Sequence, residues 1–424
     1  MDEHLLDFWR RVMDEGTRRL GRAEYKEAES FFRQGASTAE QLEAPEVLAF
    51  SVRLLATVRV KLGELESAET GFRQALGICQ KVDNAKGMAE AWAGLASVSL
   101  GRGSFAQAAQ YCELAISVYP PTSPPLRLGM LYSDLGQAYA QLELWEKALK
   151  AYDRAQDLCH RYGYPKGEGE LKVLMGEICY RRGDKKKAED WFKEACRIFA
   201  GLGDPATLAN ALQYMAFIYY DQNRMELAEE ILRRAVALWL KCDMPAEASE
   251  SCYFLSKIEQ NLGAGSEAEA YIELSIKLYE KEDIGLALRY QSLAGIALTD
   301  LELVKAEKYF LQALNRFQAL GDNNKAGEIF QTLAVLADLD ERRTEALGYH
   351  EKAIETLSAA DSPAVEARQG LALFYEKHHN YRKALETFWT ALQIARENGL
   401  DSGELETAIQ RVSRLLRKKG RGTG

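Results

Sequence analysis

A chain of 424 residues, 47% hydrophobic and 28% charged, carries enough apolar side chains for a sizeable core, yet no apolar run approaches the roughly 18 residues of a membrane-spanning helix. Its formal net charge of −9 is spread along the chain, which argues against a general nucleic-acid surface. Only 9 prolines stand against 32 glycines, with Ala, Leu and Glu abundant, a composition that leans to helix throughout.

The chain opens on MDEHLLDFWRR, with acidic residues ahead of the apolar ones and no signal-peptide core. Seven cysteines (79, 112, 159, 179, 196, 242 and 252) form no C-x-x-C pair and sit inside helical patterns. Reduced, half-buried small hydrophobes of a reducing compartment have this distribution, and the expected location is cytoplasmic.

From there the chain repeats. Ala28, Ala68, Ala108, Ala148, Ala188, Ala228, Ala268, Ala306, Ala346 and Ala384 mark ten units, forty residues apart except for steps of thirty-eight before Ala306 and before Ala384. Twelve residues ahead of each alanine stands another small residue, from Gly16, Ala56 and Ala96 through Gly136 and Gly176 to Ala372. Seven residues behind it stands a third, from Gly35 and Ala75 through Ala155 and Ser275 to Ala391. Four residues behind it is a bulkier one, usually aromatic: Phe32, Phe72, Tyr152, Phe192, Phe310 and Phe388. In unit four, LWEKALKAYDRA puts Trp145, Ala148, Tyr152 and Ala155 on one helical face. Each unit reads as two antiparallel helices that cross at small residues, where the backbones approach closely, with the aromatic filling the gap to the next hairpin. A repeat of this kind overrides the two or three domains that length alone suggests.

Proline keeps the same register. Pro45, Pro125, Pro165, Pro205, Pro245 and Pro363 fall seventeen residues after a repeat alanine and open the first helix of the next unit. In GDPATLANAL, Asp204 is placed to cap that helix, and Ser362 is expected to do the same in SPAVEA. Gly203 and Gly321, each within LGD, suit a left-handed helix stop. The proline-rich YPPTSPP (119–125) interrupts the array as a mild joint between units three and four. The tail from Gly403 forms a last amphipathic helix with Leu405, Ile409, Val412 and Leu415 on one face, expected to cap the last hairpin. Residues 1–402 are thus the array and 403–424 the cap with its basic end. Beyond Glu406 the chain holds Arg411, Arg414, Arg417, Lys418, Lys419 and Arg421 and no acid. A solvated end that complements a helix C-terminus is the first reading of these cations, and weak contact with an anionic surface the second.

The series small, twelve, Ala, four, aromatic, three, Ala resembles the tetratricopeptide repeat over residues 5 to about 400. Unit four matches best, with Tyr132, Leu135, Gly136, Tyr139, Ala148, Tyr152 and Ala155 at the signature positions. The units here are longer than the usual repeat. That is similar to Leu-Gly-Asn-repeat adaptors and to the sensor arrays of some bacterial regulators, although no Leu-Gly-Asn triplet is present. The resemblance implies an all-α, right-handed superhelix of about ten helix-turn-helix units plus the capping helix.

Catalytic chemistry has little to stand on. The five histidines (4, 160, 350, 378 and 379) make no H-E-x-x-H and no zinc-ligand spacing with cysteine. His350 replaces the aromatic of unit nine and reads as a packed core residue. GRGSF (101–105) lacks the lysine of a phosphate loop. We therefore expect a non-enzyme without cofactor or metal, whose partners are other proteins.

In the family, the first helix of each hairpin lines the concave face. By that register the expected peptide-binding positions are Asn210, Gln213, Tyr214 and Phe217 in unit six and Tyr253, Phe254 and Lys257 in unit seven. Gln213, Gln291, Gln331 and Gln369 form an amide series able to bond an extended backbone. Aromatic anchors beside amides and cations have the composition of a peptide groove. The competing reading is packing between neighbouring first helices, most applicable to Tyr180, Phe217 and Tyr220. An adaptor holding a partner's extended or helical segment is the first expectation. The second is a sensor array that changes pitch on binding a peptide or small ligand and controls a separate output protein.

Overall fold

A computed structural model of the protein describes residues 2–357 and 362–421, the side chains of 419–421 excepted. Among the described residues there are 21 helices, from α1 (Glu3–Gly21) to α21 (Gly403–Arg421), and no strand. They form two compact units, Met1–Ile218 and Tyr219–Gly424, which divide inside α11 (Pro205–Asp221). Within each unit consecutive helices pair as hairpins, for example α7 (Pro125–Gln141) with α8 (Trp145–Arg161) in the first and α13 (Pro245–Leu262) with α14 (Gly265–Leu278) in the second. No described helix is long and apolar enough to cross a membrane.

The repeat register maps directly onto these helices. Each of the ten alanines is the fourth residue of a second helix, and all ten have no exposed surface. The small residues of the other two series are buried as well. The aromatics four residues on are sealed beside them, Phe32, Phe192 and Phe388 completely. Their rings explain the glycines: a Cβ on Gly16 would stand 2.7 Å from Phe32, one on Gly176 2.9 Å from Phe192, and one on Gly136 would run into the Tyr152 ring. These rings therefore pack inside their own hairpin, on the small residue of its first helix. The bridging role expected from the sequence is also present: Phe72 reaches Gly94 of the next hairpin, and Phe192 stacks on Tyr214 of the next.

Proline opens α3 (Pro45–Lys61), α7, α9 (Pro165–Arg181), α11 and α13, where a missing N–H leaves nothing unsatisfied. Asp204 caps α11 by accepting the Thr207 N–H at 3.3 Å. Gly203 and Gly321 take the left-handed stop, with φ of 65° and 73°. Ser362 departs from expectation. It is the first helical residue of α19 (Ser362–Lys377) rather than its cap, and its hydroxyl donates to Glu366 at 3.1 Å. In the 119–125 loop, the Tyr119 hydroxyl donates to the Pro124 carbonyl at 2.6 Å.

The two short steps have a common structural origin. The second helices that precede them, α14 and α18 (Arg343–Thr356), run for 14 residues where α8 has 17. Each is followed by an extended residue, Tyr279 or Leu357. At the far end α21 lays Leu405, Ala408, Ile409 and Val412 on the last hairpin, in one cluster with Val365, Phe388 and Leu392. Leu415, expected on the same face, is half-buried. Arg411 grips Glu376 through two bonds of 2.9 and 2.7 Å, so one cation of the basic end is structural. Arg414, Arg417 and Lys418 are exposed; residues 422–424 and the side chains of Lys419 and Arg421 lie outside the described residues.

His350 is buried as expected, against Phe374 at 5.5 Å, and its Nδ1 has no hydrogen-bond partner among the described residues. Burial pushes its pKa from 6.5 down to about 4, against the weak opposing pull of Asp338.

Three outcomes follow from this packing. Ala148→Leu, at a helix crossing, should lower the urea midpoint at unchanged slope by the roughly 1–3 kcal/mol of an overpacked core, whereas Lys150→Leu on the exposed face should leave it in place. A chain ending at Gly403 should expose Val365, Leu392 and their neighbours and aggregate, so a monodisperse product in size-exclusion chromatography would contradict the capping role. His350 stays neutral in the folded chain while the unfolded chain takes up its proton first. Stability should therefore fall as pH drops from about 6.5 to about 4, and His350→Phe should remove that part of the slope in urea titrations across the window.

Candidate functional site

The residues anticipated as a groove fall in both units, and their surroundings differ. In the first unit, Asn210 is exposed, while Gln213, Tyr214 and Phe217 are half-buried along α11. The Tyr214 ring lies parallel to fully buried Phe192 of α10 (Lys185–Leu202), with centroids 5.2 Å apart, and Phe217 meets it edge-on at 6.2 Å. Its hydroxyl bonds to Glu177, and burial together with that carboxylate raises its pKa. Most of this ring is engaged in packing one hairpin on the next. Val173, three residues ahead of the small Gly176 as Gln213 is ahead of Ala216, is buried at 6% exposure.

In the second unit the aromatic position is held differently. Tyr253 projects from α13 with Lys257 Nζ 4.4 Å from its ring centre, one turn further along the helix. The guanidinium of Arg289, on α15 (Ile284–Thr299), stands 5.0 Å from the same ring. The Tyr253 hydroxyl reaches the Ser292 hydroxyl at 3.3 Å, one residue from Gln291. Phe254 sits edge-on to Tyr220 at 5.0 Å, and Asn261 donates to the Tyr220 hydroxyl at 3.0 Å. Both tyrosines are half-buried: Tyr220 follows the packing reading, and Tyr253 packs against the cluster of Ala268, Ile272, Leu293 and Ile296 while standing between two cations.

Arg289 was missed by sequence reasoning. It is 2% exposed, and its charge is fully matched: Nε donates to Ser275 Oγ at 2.8 Å, one terminal nitrogen to the Gly285 carbonyl at 3.0 Å, and the other to Glu250 at 2.6 Å. Tyr279 covers the guanidinium face at 3.9 Å. Ser249 and Ser275 donate to each other's carbonyls at 2.8 and 2.7 Å, which ties α13 to α14. A buried cation persists only with such a set of acceptors. The signal in the sequence was Ser256 and Ser275 at repeat positions held elsewhere by Ala or Gly, an invitation to look for a buried polar partner.

Gln291, Gln331 and Gln369 sit on the first helices α15, α17 (Asn323–Leu339) and α19. All three are half-buried, and none makes a side-chain hydrogen bond among the described residues. No group of three or more His, Cys, Asp and Glu residues suited to a metal occurs among the described residues.

Comparison with known proteins agrees with the repeat. A family model described as tetratricopeptide repeat matches residues 127–200, and a second of the same description matches 208–241. A curated relative, the protein CTR9 homolog of Arabidopsis thaliana, is 24% identical over 78% of this chain; the chain spans 31% of that relative's length. Apo RapI is similar in structure at a TM-score of 0.62 and 12% identity, covering 82% of this chain and 97% of RapI. A signal transduction ATPase with a tetratricopeptide repeat sensor, PH0952 from Pyrococcus horikoshii, gives 0.58 at 18% identity, covering 78% of this chain and 52% of its own. The apo quorum sensor NprR from B. thuringiensis gives 0.54 at 14% identity, covering 82% and 98%. At these identities the likeness is one of fold. Residues 127–200 and 208–241 thus carry tetratricopeptide repeats within ten helical units of one small-residue register, and the fold is similar to that of solved sensor proteins.

Proposed function

We propose that this chain is a non-enzymatic adaptor that binds an extended or helical segment of a partner protein along the inner register of its first helices. The observation that carries the reading is Tyr253, half-exposed and fixed between Lys257 and Arg289, at the head of the unbonded amides Gln291, Gln331 and Gln369. An aromatic held rigid before the ligand arrives loses little entropy on binding, and spaced amides bond a peptide backbone without reading its sequence. Asn210, Gln213, Tyr214, Phe217 and Phe254 belong to the same inner register, with Tyr214 contributing mainly through packing. No cofactor or metal takes part, and neither nucleic acid nor membrane insertion is involved. The seven free cysteines suit a cytoplasmic setting. Exposed Arg414, Arg417 and Lys418 add weak, salt-sensitive contact with anionic surfaces.

A second reading, a sensor array that controls a separate output protein, draws support from the likeness in fold to a quorum sensor over 98% of that chain. It uses the same surface, and a change in scattering profile on ligand binding would separate it from the adaptor.

Affinity capture with the intact chain, followed by mass spectrometry, supplies the partner for the test. Tyr253→Ala combined with Gln291→Ala should weaken its binding at least about tenfold, the scale of an aromatic anchor, with the thermal midpoint nearly unchanged. Tyr214→Ala should instead lower the thermal midpoint, because Phe192 and Glu177 lose their partner. Exposed Lys186→Ala should do neither. Normal binding by the double variant would place the partner elsewhere.

A further inference from the structure

One turn of the second compact unit exposes two apolar side chains. Leu301 is 80% exposed and Val304 83%, the highest values among the large hydrophobic residues described. Leu301 lies between α15 and α16 (Leu303–Ala319), with a φ of 60°. Every hairpin has a left-handed residue at this place, five ahead of the repeat alanine. Four repeats use glycine there (Gly63, Gly103, Gly183 and Gly263), others a polar residue such as Glu143 or Asn223, and the first Ala23. Leucine suits the position poorly, because its Cβ crowds the following carbonyl in that region. Val304, the second residue of α16, stands where other repeats place Glu66, Glu146 and Glu226. With so little of either surface covered, packing within the chain accounts for neither residue.

The charges around this turn change sign along one edge of the array. Successive turns are neighbours on that edge: Arg342 of the ninth holds Glu307 of α16 at 2.6 Å, and His378 of the tenth reaches Asp338 of the ninth at 2.6 Å. Arg411 then ties α21 to Glu376, near the end of α19, at 2.7 Å. At the eighth and ninth turns carboxylates exceed cations. Lys305 is shared by Glu302 and Glu269, and Arg342 by Glu307, Asp340 and Glu345. Asp300 and Glu341 are exposed with no ion pair among the described residues, and exposed Arg343 offsets them only in part. Beyond the tenth turn the sign reverses. Arg382 occupies the place of Val304 in repeat ten, and Arg414, Arg417 and Lys418 follow along α21, all four exposed with no ion pair among the described residues. Leu416, among them, is 39% exposed.

An edge that is acidic at one end and basic at the other matches itself when a second copy is turned through half a circle. We propose that the edge formed by the turns of repeats eight to ten and the second half of α21 pairs two copies of this chain about a two-fold axis. Leu301 and Val304 of one copy meet Leu416 of the other, and Asp300 and Glu302 meet Arg414 and Arg417 of the other. In such an interface every contact occurs twice, so a modest patch contributes double. The apolar groups supply attraction, and the charges fix the direction, since two copies aligned the same way would oppose like charges. The edge lies outside the inner register of the first helices, so this pairing is independent of the groove reading.

Sedimentation equilibrium of the intact chain measures the pairing. The mass should rise from monomer to dimer with concentration and stop there, and added salt should weaken association. Leu301→Gly with Val304→Glu, residues that other repeats carry at these places, should weaken dimerisation at least about tenfold without lowering the thermal midpoint. Asp300→Lys with Glu302→Lys should weaken it as well, and so should Arg414→Glu with Arg417→Glu. All four reversals in one chain should restore the dimer, an outcome that a merely structural role for these residues would not produce. Thermal midpoints within a few degrees of the parent show that each variant is folded. A chain that stays monomeric at every concentration, a mass that grows past the dimer, or a dimer unmoved by the reversals would overturn the proposal. So would a failure of the combined reversals to recover what the separate ones lose. A monomer that co-sediments with phosphatidylserine vesicles, and ceases to do so in Leu301→Gly, would assign the edge to a membrane instead. The groove around Tyr253 stands under each of these outcomes.

Discussion

Everything in this structure depends on how closely two helices can approach where they cross. Alanine at the fourth residue of each second helix is fully buried, and small residues on the first helix let the two helices of a hairpin pack closely. At that separation one aromatic ring fills the remaining space, and the helix beneath it must then do without a side chain, as Gly136 does under Tyr152. A larger residue at either point would separate the helices and leave the ring without its seat. The ten-fold recurrence of one alanine is this geometric requirement restated once per hairpin.

Departures from the repeat are informative because the frame around them is so regular. Where α14 and α18 stop early, the chain loses most of a helical turn and other groups fill the space. Behind α14 the filling is polar. Arg289, Ser249, Ser275, Tyr279 and Glu250 form a network in which the buried charge has a partner for each side of its guanidinium. That network supports Tyr253 from behind, so a local irregularity of the array is what holds an aromatic in place at the surface. Unit nine shows the opposite choice: His350 stands where other units place a ring, and its buried nitrogen goes unmatched.

The inner register supplies two kinds of surface. In the second unit Tyr253 stands between Lys257 and Arg289. In the first unit Trp9 and Phe50 meet edge-on, and Arg53 lies 5.2 Å from the Phe50 ring and 3.7 Å from Glu90. Both surfaces are built on helices, and their side chains are held by neighbours of the adjoining repeat, so each is organised before a ligand arrives.

Helix positions, hairpin pairing and the helix-opening prolines were all legible in the sequence, since each follows from spacing along the chain and from local backbone chemistry. The small residues, the left-handed stops at Gly203 and Gly321, and the apolar stripe of α21 belong to that class. The fate of the inner-register side chains was not. Periodicity says that Tyr214 and Tyr253 occupy equivalent positions, but only tertiary contacts decide that one lies flat on Phe192 while the other stands between two cations. Arg53, Glu90 and Arg127 are spread over more than seventy residues of chain, and their unequal pairing depends on distances among three different helices. A repeat pattern specifies which face a residue shares with its neighbours along one helix. Its partner across the gap is set by the packing of separate helices, and that information exists only once the hairpins have been stacked.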